Sequence, residues 1–490
     1  MAGERPTVVV VGAGLAGLAC AQRLSAHERP LDLHVLEARD RVGGRCWSSR
    51  GWSDGQVAEH GGELIEDSQH HVLGLVAQLG LTLEHRAPTG KRWPRPGRAV
   101  IGGADVTDSE LAGFPDVTRQ LRTDLAATGP VRFDAAGTSL RELDEMSVSD
   151  WLDRHVEHGN ASPLGLGVAT LVSLNLGFDP SELSALSLHH MFVGLSDRGE
   201  ASLGFSFGHE SAPATHEQGT QPGLLDLAAA AVVEVMHVAG GNDLIASRLA
   251  ELLPGGALRF GEALRSVARR PDGRYLLRTD AGGTHLVAEQ LVLALPMPPL
   301  RAVDLEGAAL SPRRMEAIES LPMGTSNKLI LALDRRPSTT PSWPGFAFTD
   351  RPPVAVWDSS VGQPGEAGLL TLFSSGDTFG SSGVAHGPAE EEVRRLGTGL
   401  LDVLAPGLEG SIGEAWLDLW AEDPWAGGGY AGFAPGQYAR FAGFLSQPEG
   451  GIHFAGEHTS LSSPGYLDGA VSSGHRTAAE VLTALGLCPS

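Results

Sequence analysis

Apolar and polar positions change period several times along the chain, and each change predicts an element. Residues 8–11 are an unbroken run of valines, the pattern of a strand buried on both faces. Gly12-Ala13-Gly14-Leu15-Ala16-Gly17 follows at once and leads into an apolar helical stretch over 18–24. A second apolar run, 31–36, ends in Glu37, twenty residues after Gly17. Strand, glycine turn, helix and strand in this order predict a βαβ unit whose helix N-terminus faces the phosphates of a dinucleotide. Gly12 permits the tight turn, Gly14 the close approach of a pyrophosphate, and Gly17 the packing of helix on strand. Leu15 and Ala16 stand at the helix N-terminus, where backbone N–H groups lack intrahelical partners. Glu37 can accept hydrogen bonds from a ribose diol, and its charge repels a 2′-phosphate.

Helical spacing recurs over 71–79, 117–125, 148–156, 164–174, 244–253, 390–404 and 471–482. Alternating or continuous apolar runs predict strands at 257–260, 263–269, 275–279, 285–294, 328–333, 346–348, 354–357 and 368–373. The Gly-, Ser-, Pro- and His-rich stretch 198–222 has the composition of an exposed loop. No internal repeat is present. The nucleotide-domain pattern returns at about residue 236 and again near the end. The expected class is α/β: a Rossmann-like dinucleotide-binding domain plus a mixed α+β substrate domain, both discontinuous in sequence. The first takes 1–86, 236–305 and 414–490, and the second takes 87–235 and 306–413.

The 490 residues suffice for two cores. A net charge of -23 argues against nucleic acid and anionic membrane as partners, but not against a cationic small substrate. No signal peptide precedes the first strand and no apolar run spans a bilayer, so the expected location is cytoplasmic. Cys20, Cys46 and Cys488 form neither a disulfide framework nor a metal cluster, and the 18 histidines lack ligand spacing. No metal is expected. Of the 36 Lys and Arg residues, only Lys91 and Lys328 are lysine. Lys is a compact point charge that Arg does not replace, which makes both positions functional candidates.

Four motifs together resemble the flavin-containing amine oxidase family. They are GAGLAG with Glu37, RVGGR at 41–45, GGELI at 61–65, and AGEHTSLSSPGYLDGAVSSGHRTAAEVL at 455–482. The family includes monoamine oxidases, polyamine oxidases, L-amino-acid oxidases and histone lysine demethylases. The resemblance is close at both ends and over 235–330, and weak across 100–235 and 340–410, where substrate choice is usually made. It implies FAD as the cofactor. The implied contacts are Gly12, Gly14, Leu15, Ala16 and Gly17, then Glu37, Ala38 and Arg39, then Gly43, Gly44 and Arg45. Gly61, Gly62, Glu63 and Leu64 follow, with Trp425, Gly456, Glu457, Gly465, Tyr466, Leu467 and Ala470 from the C-terminal part. Arg45 would pair with the pyrophosphate and Glu457 would touch the ribityl chain. Ala470 would lie near the flavin ring with Gly469 and Val471, and Val267 would meet adenine through its backbone.

The resemblance also implies that Lys328, in LPMGTSNKLILAL, hydrogen-bonds a water beside flavin N5. Tyr430 and Tyr466, two of only four tyrosines, match the aromatic pair that flanks the amine. Monoamine oxidases tether the flavin through a cysteine in a GGCY stretch. Here the stretch is Gly427-Gly428-Gly429-Tyr430, so FAD is expected without a covalent bond.

Many L-amino-acid oxidases carry an Arg just after the GG turn to hold the substrate carboxylate. This chain has Glu63-Leu64-Ile65-Glu66 there and no Arg before Arg86. Acids at that place favour an ammonium, and Glu66 falls where some polyamine oxidases place an amine-binding acid. The AGEHTSL wording, in contrast, is closer to bacterial amino-acid oxidases. The implied reaction is oxidation of an amine C–N bond to an imine by hydride transfer to flavin N5, with reoxidation by molecular oxygen giving hydrogen peroxide. An L-amino-acid oxidase, a biosynthetic tailoring oxidase or cyclase, and a flavoprotein without catalysis stay open as alternatives. So does a homodimer as the assembly.

Overall fold

A five-stranded parallel sheet carries the N-terminal motif. Its order is Ile452–Phe454, Gln290–Leu293, Thr7–Val11, Asp32–Leu36 and Leu258–Arg259. The computed structural model describes residues 5–85, 97–128, 138–193, 224–225, 236–280, 285–380, 384–460 and 462–487. Val8, Val9 and Val10 are wholly buried because they stand in the middle of this sheet with helices on its faces. The helix Leu15–Ser25 starts directly after the glycine turn. A Cβ on Gly17 would sit 1.9 Å from the Gly12 carbonyl oxygen, so only glycine lets helix and turn meet.

The C-terminal helix Leu467–Ala484 lies against that first helix. The approach needs Gly474, whose Cβ would come within 2.3 Å of the Ala16 carbonyl oxygen. Asp468, in its first turn, accepts hydrogen bonds from the N–H groups of His71 and Val72 and so caps the helix His70–Gln78. These contacts bring residues 456–470 beside the glycine turn, more than four hundred positions away in sequence.

An eight-stranded sheet forms the second unit. Its order is His386–Pro388, Ile412–Leu419, Ser326–Leu333, Gly368–Ser375, Pro353–Asp358, Phe346–Asp350, Arg98–Ile101 and Ala104–Asp105. One face packs under the helix Glu391–Leu404 through Leu329, Leu331, Ala415 and Leu417. The other meets the helix Pro163–Leu176 through Phe346, Phe348, Ala355 and Trp357. Every residue of Ser326–Leu333 is buried, Lys328 included.

Two expectations shift. The run expected as one strand over 285–294 forms two. His285–Ala288 pairs antiparallel with Tyr275–Thr279, and Gln290–Leu293 pairs parallel with Thr7–Val11. Glu289 marks the switch, its N–H bonded to the Thr7 carbonyl. The domain boundary expected at 413/414 cuts the strand Ile412–Leu419, which pairs antiparallel with Ser326–Leu333. The ladder to Ser326–Leu333, with Leu417, Asp418 and Leu419 all buried, places this segment in the second sheet. The stretch 198–222 and Lys91 lie outside the described residues.

Candidate active site

A cavity runs between the parallel sheet and the eight-stranded sheet. The glycine turn, Glu37, Ala38, Arg39, Gly43, Gly44 and Arg45 line it, as do Gly61, Gly62, Glu63, Leu64, Glu66, Trp425, Gly456, Glu457, Gly465, Tyr466, Leu467 and Ala470. Lys328 and Tyr430 share the same wall. Residues scattered over the whole sequence therefore converge, as the motifs predict.

Several members do something more specific. The Glu37 carboxylate accepts hydrogen bonds from the Ala13 N–H at 2.8 Å and the Arg39 N–H at 2.9 Å. This locks the acid at the end of the second strand beside the turn. Arg39 Nη2 donates to both Asp423 carboxylate oxygens, at 2.6 and 2.7 Å. Arg45 donates to the Gly429 carbonyl at 2.6 Å and to Glu457 at 2.9 Å. Glu457 also accepts from the N–H groups of Ala431 and Gly465. Its carboxylate thus clamps three segments of the wall together, in addition to the ribityl role the resemblance implies.

Val267 departs from expectation. It is buried in the strand Leu264–Arg269, its N–H is bonded to the Asp304 carbonyl, and it does not line the cavity. Glu262, Ala263 and Leu264 do. The strand enters the cavity wall at its first residue, so a position three residues later has already run into the three-stranded sheet. Gly17 also stands off the wall; its work is the packing described above. Of Gly469, Ala470 and Val471, only Ala470 reaches the cavity.

Lys328 shows the largest difference from the implied picture. Its ammonium donates to the Glu59 carbonyl at 2.9 Å, the Gly61 carbonyl at 2.9 Å and the Glu63 carboxylate at 2.7 Å. Lysine has three donors, and all three are taken by the protein. The water contact implied by the resemblance has no donor left in this arrangement. Glu63 in turn accepts from Trp357 Nε1 and Ser359 Oγ, both at 3.0 Å.

Tyr430 and Tyr466 both face the cavity. Burial pushes the Tyr430 phenol up to about 12, helped by Glu457 and Glu63 against Arg45. Burial, with Glu66 and Tyr430 nearby, pushes Tyr466 further. Glu66 keeps one oxygen buried with no hydrogen-bond partner among the described residues. Burial and the adjacent Asp67, opposed by Ser68, raise its carboxyl to about 8.

Other features were not legible beforehand. His458 lines the cavity with Nδ1 buried and without a hydrogen-bond partner among the described residues, and burial lowers its pKa to about 4. Leu171, Leu174, Met191, Phe346, Trp357 and Phe373 give the wall an apolar stretch, interrupted by Asn175 and Ser187. Behind it, His386 lies between Asp418 at 2.9 Å and Asp423 at 2.8 Å. His60 meets the other Asp418 oxygen at 2.8 Å and stacks on Trp47 with ring centroids 4.1 Å apart. Burial alone would lower His386, but its two carboxylates raise it. This buried chain anchors Arg39 from the far side.

The wall suits a dinucleotide. Gly14 ends the first helix without a side-chain cap, and a Cβ there would meet no atom within 4 Å. An uncapped helix N-terminus therefore opens onto empty space beside a buried acid, the arrangement that takes a pyrophosphate and a ribose.

Comparison with known proteins agrees with this geometry. The sequence profile for flavin containing amine oxidoreductase matches residues 15–482. A protein of Mycobacterium tuberculosis named as a flavin-containing monoamine oxidase, AofH, is 30% identical over 98% of this chain and 97% of its own length. An L-amino acid dehydrogenase of Synechocystis is 26% identical over 97% of this chain and 94% of its own. Wild-type putrescine oxidase bound to putrescine superimposes with a TM-score of 0.77 at 23% identity, covering 98% of this chain and 99% of that one. The chain is an FAD-dependent oxidoreductase and belongs to the flavin-containing amine oxidoreductase family.

Proposed function

We propose that the parallel sheet is a Rossmann-like FAD domain and that the protein oxidises an apolar-bodied amine rather than an amino acid. One observation carries the choice. The three cations on the described cavity wall are each matched by a carboxylate: Arg39 by Asp423, Arg45 by Glu457 and Lys328 by Glu63. Among the described residues none is left to hold a substrate carboxylate, whereas the unpartnered oxygen of Glu66 offers a place to an ammonium. The apolar wall suits a hydrocarbon body.

When bound, FAD would supply the two-electron acceptor by which the amine loses two electrons and two protons to become the imine, with oxygen as the final acceptor of both, giving hydrogen peroxide. The protein holds it without a covalent bond, since Gly429 stands where a tethering cysteine would. The rest of the work is orientation and exclusion of water. Tyr430 and Tyr466 stay neutral and present ring faces to the nitrogen. Glu66 receives the arriving ammonium.

Glu66 makes the site sensitive to pH. Empty, its carboxyl is protonated below about 8 and ionised above. A quaternary ammonium inhibitor, whose charge is fixed, is expected to bind about tenfold tighter at pH 9 than at pH 7 as the carboxylate forms. Glu66→Gln is expected to remove that step. A flat profile in the unaltered protein would dismiss Glu66 as the cation site. The reaction itself is tested by peroxide release from a panel of primary amines and their α-carboxylated counterparts. Amines are expected to be oxidised and amino acids to be silent; peroxide from the amino acids instead would overturn the assignment.

A further inference from the structure

The turn Glu59–Glu63 wraps the only described lysine of the chain. Two backbone carbonyls and one carboxylate close around the ammonium, and the side chains of Lys328 and Glu63 are each only 5% exposed. Glu63 is itself fixed from the other side. Trp357 and Ser359 donate to its second oxygen, and Ser359 is hydrogen-bonded to Thr371 at 2.7 Å. The acid comes from a turn after the first domain's strands, and its partners come from the strands Ser326–Leu333 and Pro353–Asp358 and the residue that follows the latter. It can neither swing away nor be replaced by solvent. The lysine that the family places beside the flavin is therefore presented to the cavity as half of a neutral pair.

We infer that Glu63 is a positioning residue for Lys328: it orients the ammonium and cancels its charge toward the bound flavin. The inference rests on FAD binding in this cavity but not on the identity of the substrate. A buried charge acts over several ångströms in a low-dielectric wall, so cancelling it changes how well the flavin tolerates negative charge. Glu63→Gln isolates that effect. The amide oxygen can still accept from the lysine and the shape is kept, while the ammonium loses its counter-charge; the amide nitrogen then faces Trp357 and Ser359, and of these only the Ser359 hydroxyl can turn to accept from it.

The test uses sulfite on the FAD-loaded protein. Sulfite adds to oxidised flavin to give an anionic adduct, which bleaches the visible band without any substrate. Glu63→Gln is expected to tighten sulfite binding about tenfold. A parallel tenfold favouring of the two-electron reduced flavin corresponds to a midpoint about 30 mV higher. Glu63→Asp, which keeps the charge, is expected to stay within about twofold of the unaltered protein. The double variant Glu63→Gln with Lys328→Met carries neither charge and is expected to bind sulfite within about twofold of the unaltered protein.

An FAD-loaded Glu63→Gln protein with unchanged sulfite affinity and midpoint would overturn the inference. So would a double variant that binds sulfite as tightly as Glu63→Gln alone. If Glu63→Gln fails to retain FAD, adding Lys328→Met is expected to restore retention by removing the uncompensated ammonium. Failure to restore it would assign Glu63 a packing role only. Loss of every flavin signal in the unaltered protein would instead refute FAD binding in this cavity, which keeps the two failures distinct.

Discussion

Lys328→Met is expected to destabilise the protein by about 3–5 kcal/mol, because it leaves Glu63 buried without its counter-charge. The geometry makes this a large effect. The pair is 2.7 Å apart and almost fully out of water, and the same ammonium also satisfies the Glu59 and Gly61 carbonyls. Methionine fills the volume but donates nothing, so three acceptors lose a partner at once. The double variant Lys328→Met with Glu63→Gln is expected to recover most of the loss, since no unpaired charge remains. Denaturant midpoints of the three variants measure this. The methionine variant is also expected to slow reoxidation of reduced flavin by oxygen about 100-fold, far beyond any loss in FAD affinity. Equal reoxidation rates would remove Lys328 from the oxygen reaction, and an undiminished denaturant midpoint would refute the buried pair.

The second large effect comes from a residue whose side chain is a single hydrogen. Gly14→Val is expected to leave the apoprotein folded and to weaken FAD binding by about 100-fold or more, roughly 3 kcal/mol. Gly14 has φ -72 and ψ 176, an extended conformation that valine adopts readily. Its Cβ would meet no protein atom within 4 Å. The space that valine fills is the space in front of the uncapped helix, where the pyrophosphate has to approach the backbone. Gly17 gives the contrast. A Cβ there strikes the Gly12 carbonyl at 1.9 Å, so Gly17→Ala is expected to damage the fold itself. Thermal melting of the apoproteins and flavin content after purification separate the two. A Gly14→Val protein that retains FAD fully would refute the placement of the pyrophosphate.

Much of the cofactor site could be read from sequence because local rules fix it. A glycine turn between strand and helix, with an acid one strand later, has one physical solution, and the observed first strand and helix differ from the expected ones by a few residues. The C-terminal motif could be joined to it only through family resemblance. The cause, Gly474 against Ala16, is a contact between helices far apart in sequence. That Ala263 and Leu264 line the cavity while Val267 does not is a register question that strand periodicity leaves open. Ile412–Leu419 shows the same limit: nothing in its apolar pattern says which sheet receives it. The buried chain from His60 through Asp418 and His386 to Asp423 had no signal at all, because its members share neither spacing nor motif. Lys328 was conspicuous by composition. That its charge is matched by Glu63 depends on two domains meeting, which the expectation of Glu63 as a flavin contact did not include.

Anaerobic mixing of the FAD-loaded protein with an aralkyl primary amine, and separately with its α-carboxylated counterpart, tests the central claim most directly. The change in the flavin band reports electron transfer without depending on the final acceptor. Fast bleaching by the amine and none by the amino acid is the result this account predicts. Bleaching by the amino acid but not the amine would contradict it, since it would require a carboxylate-binding cation that the described wall does not supply.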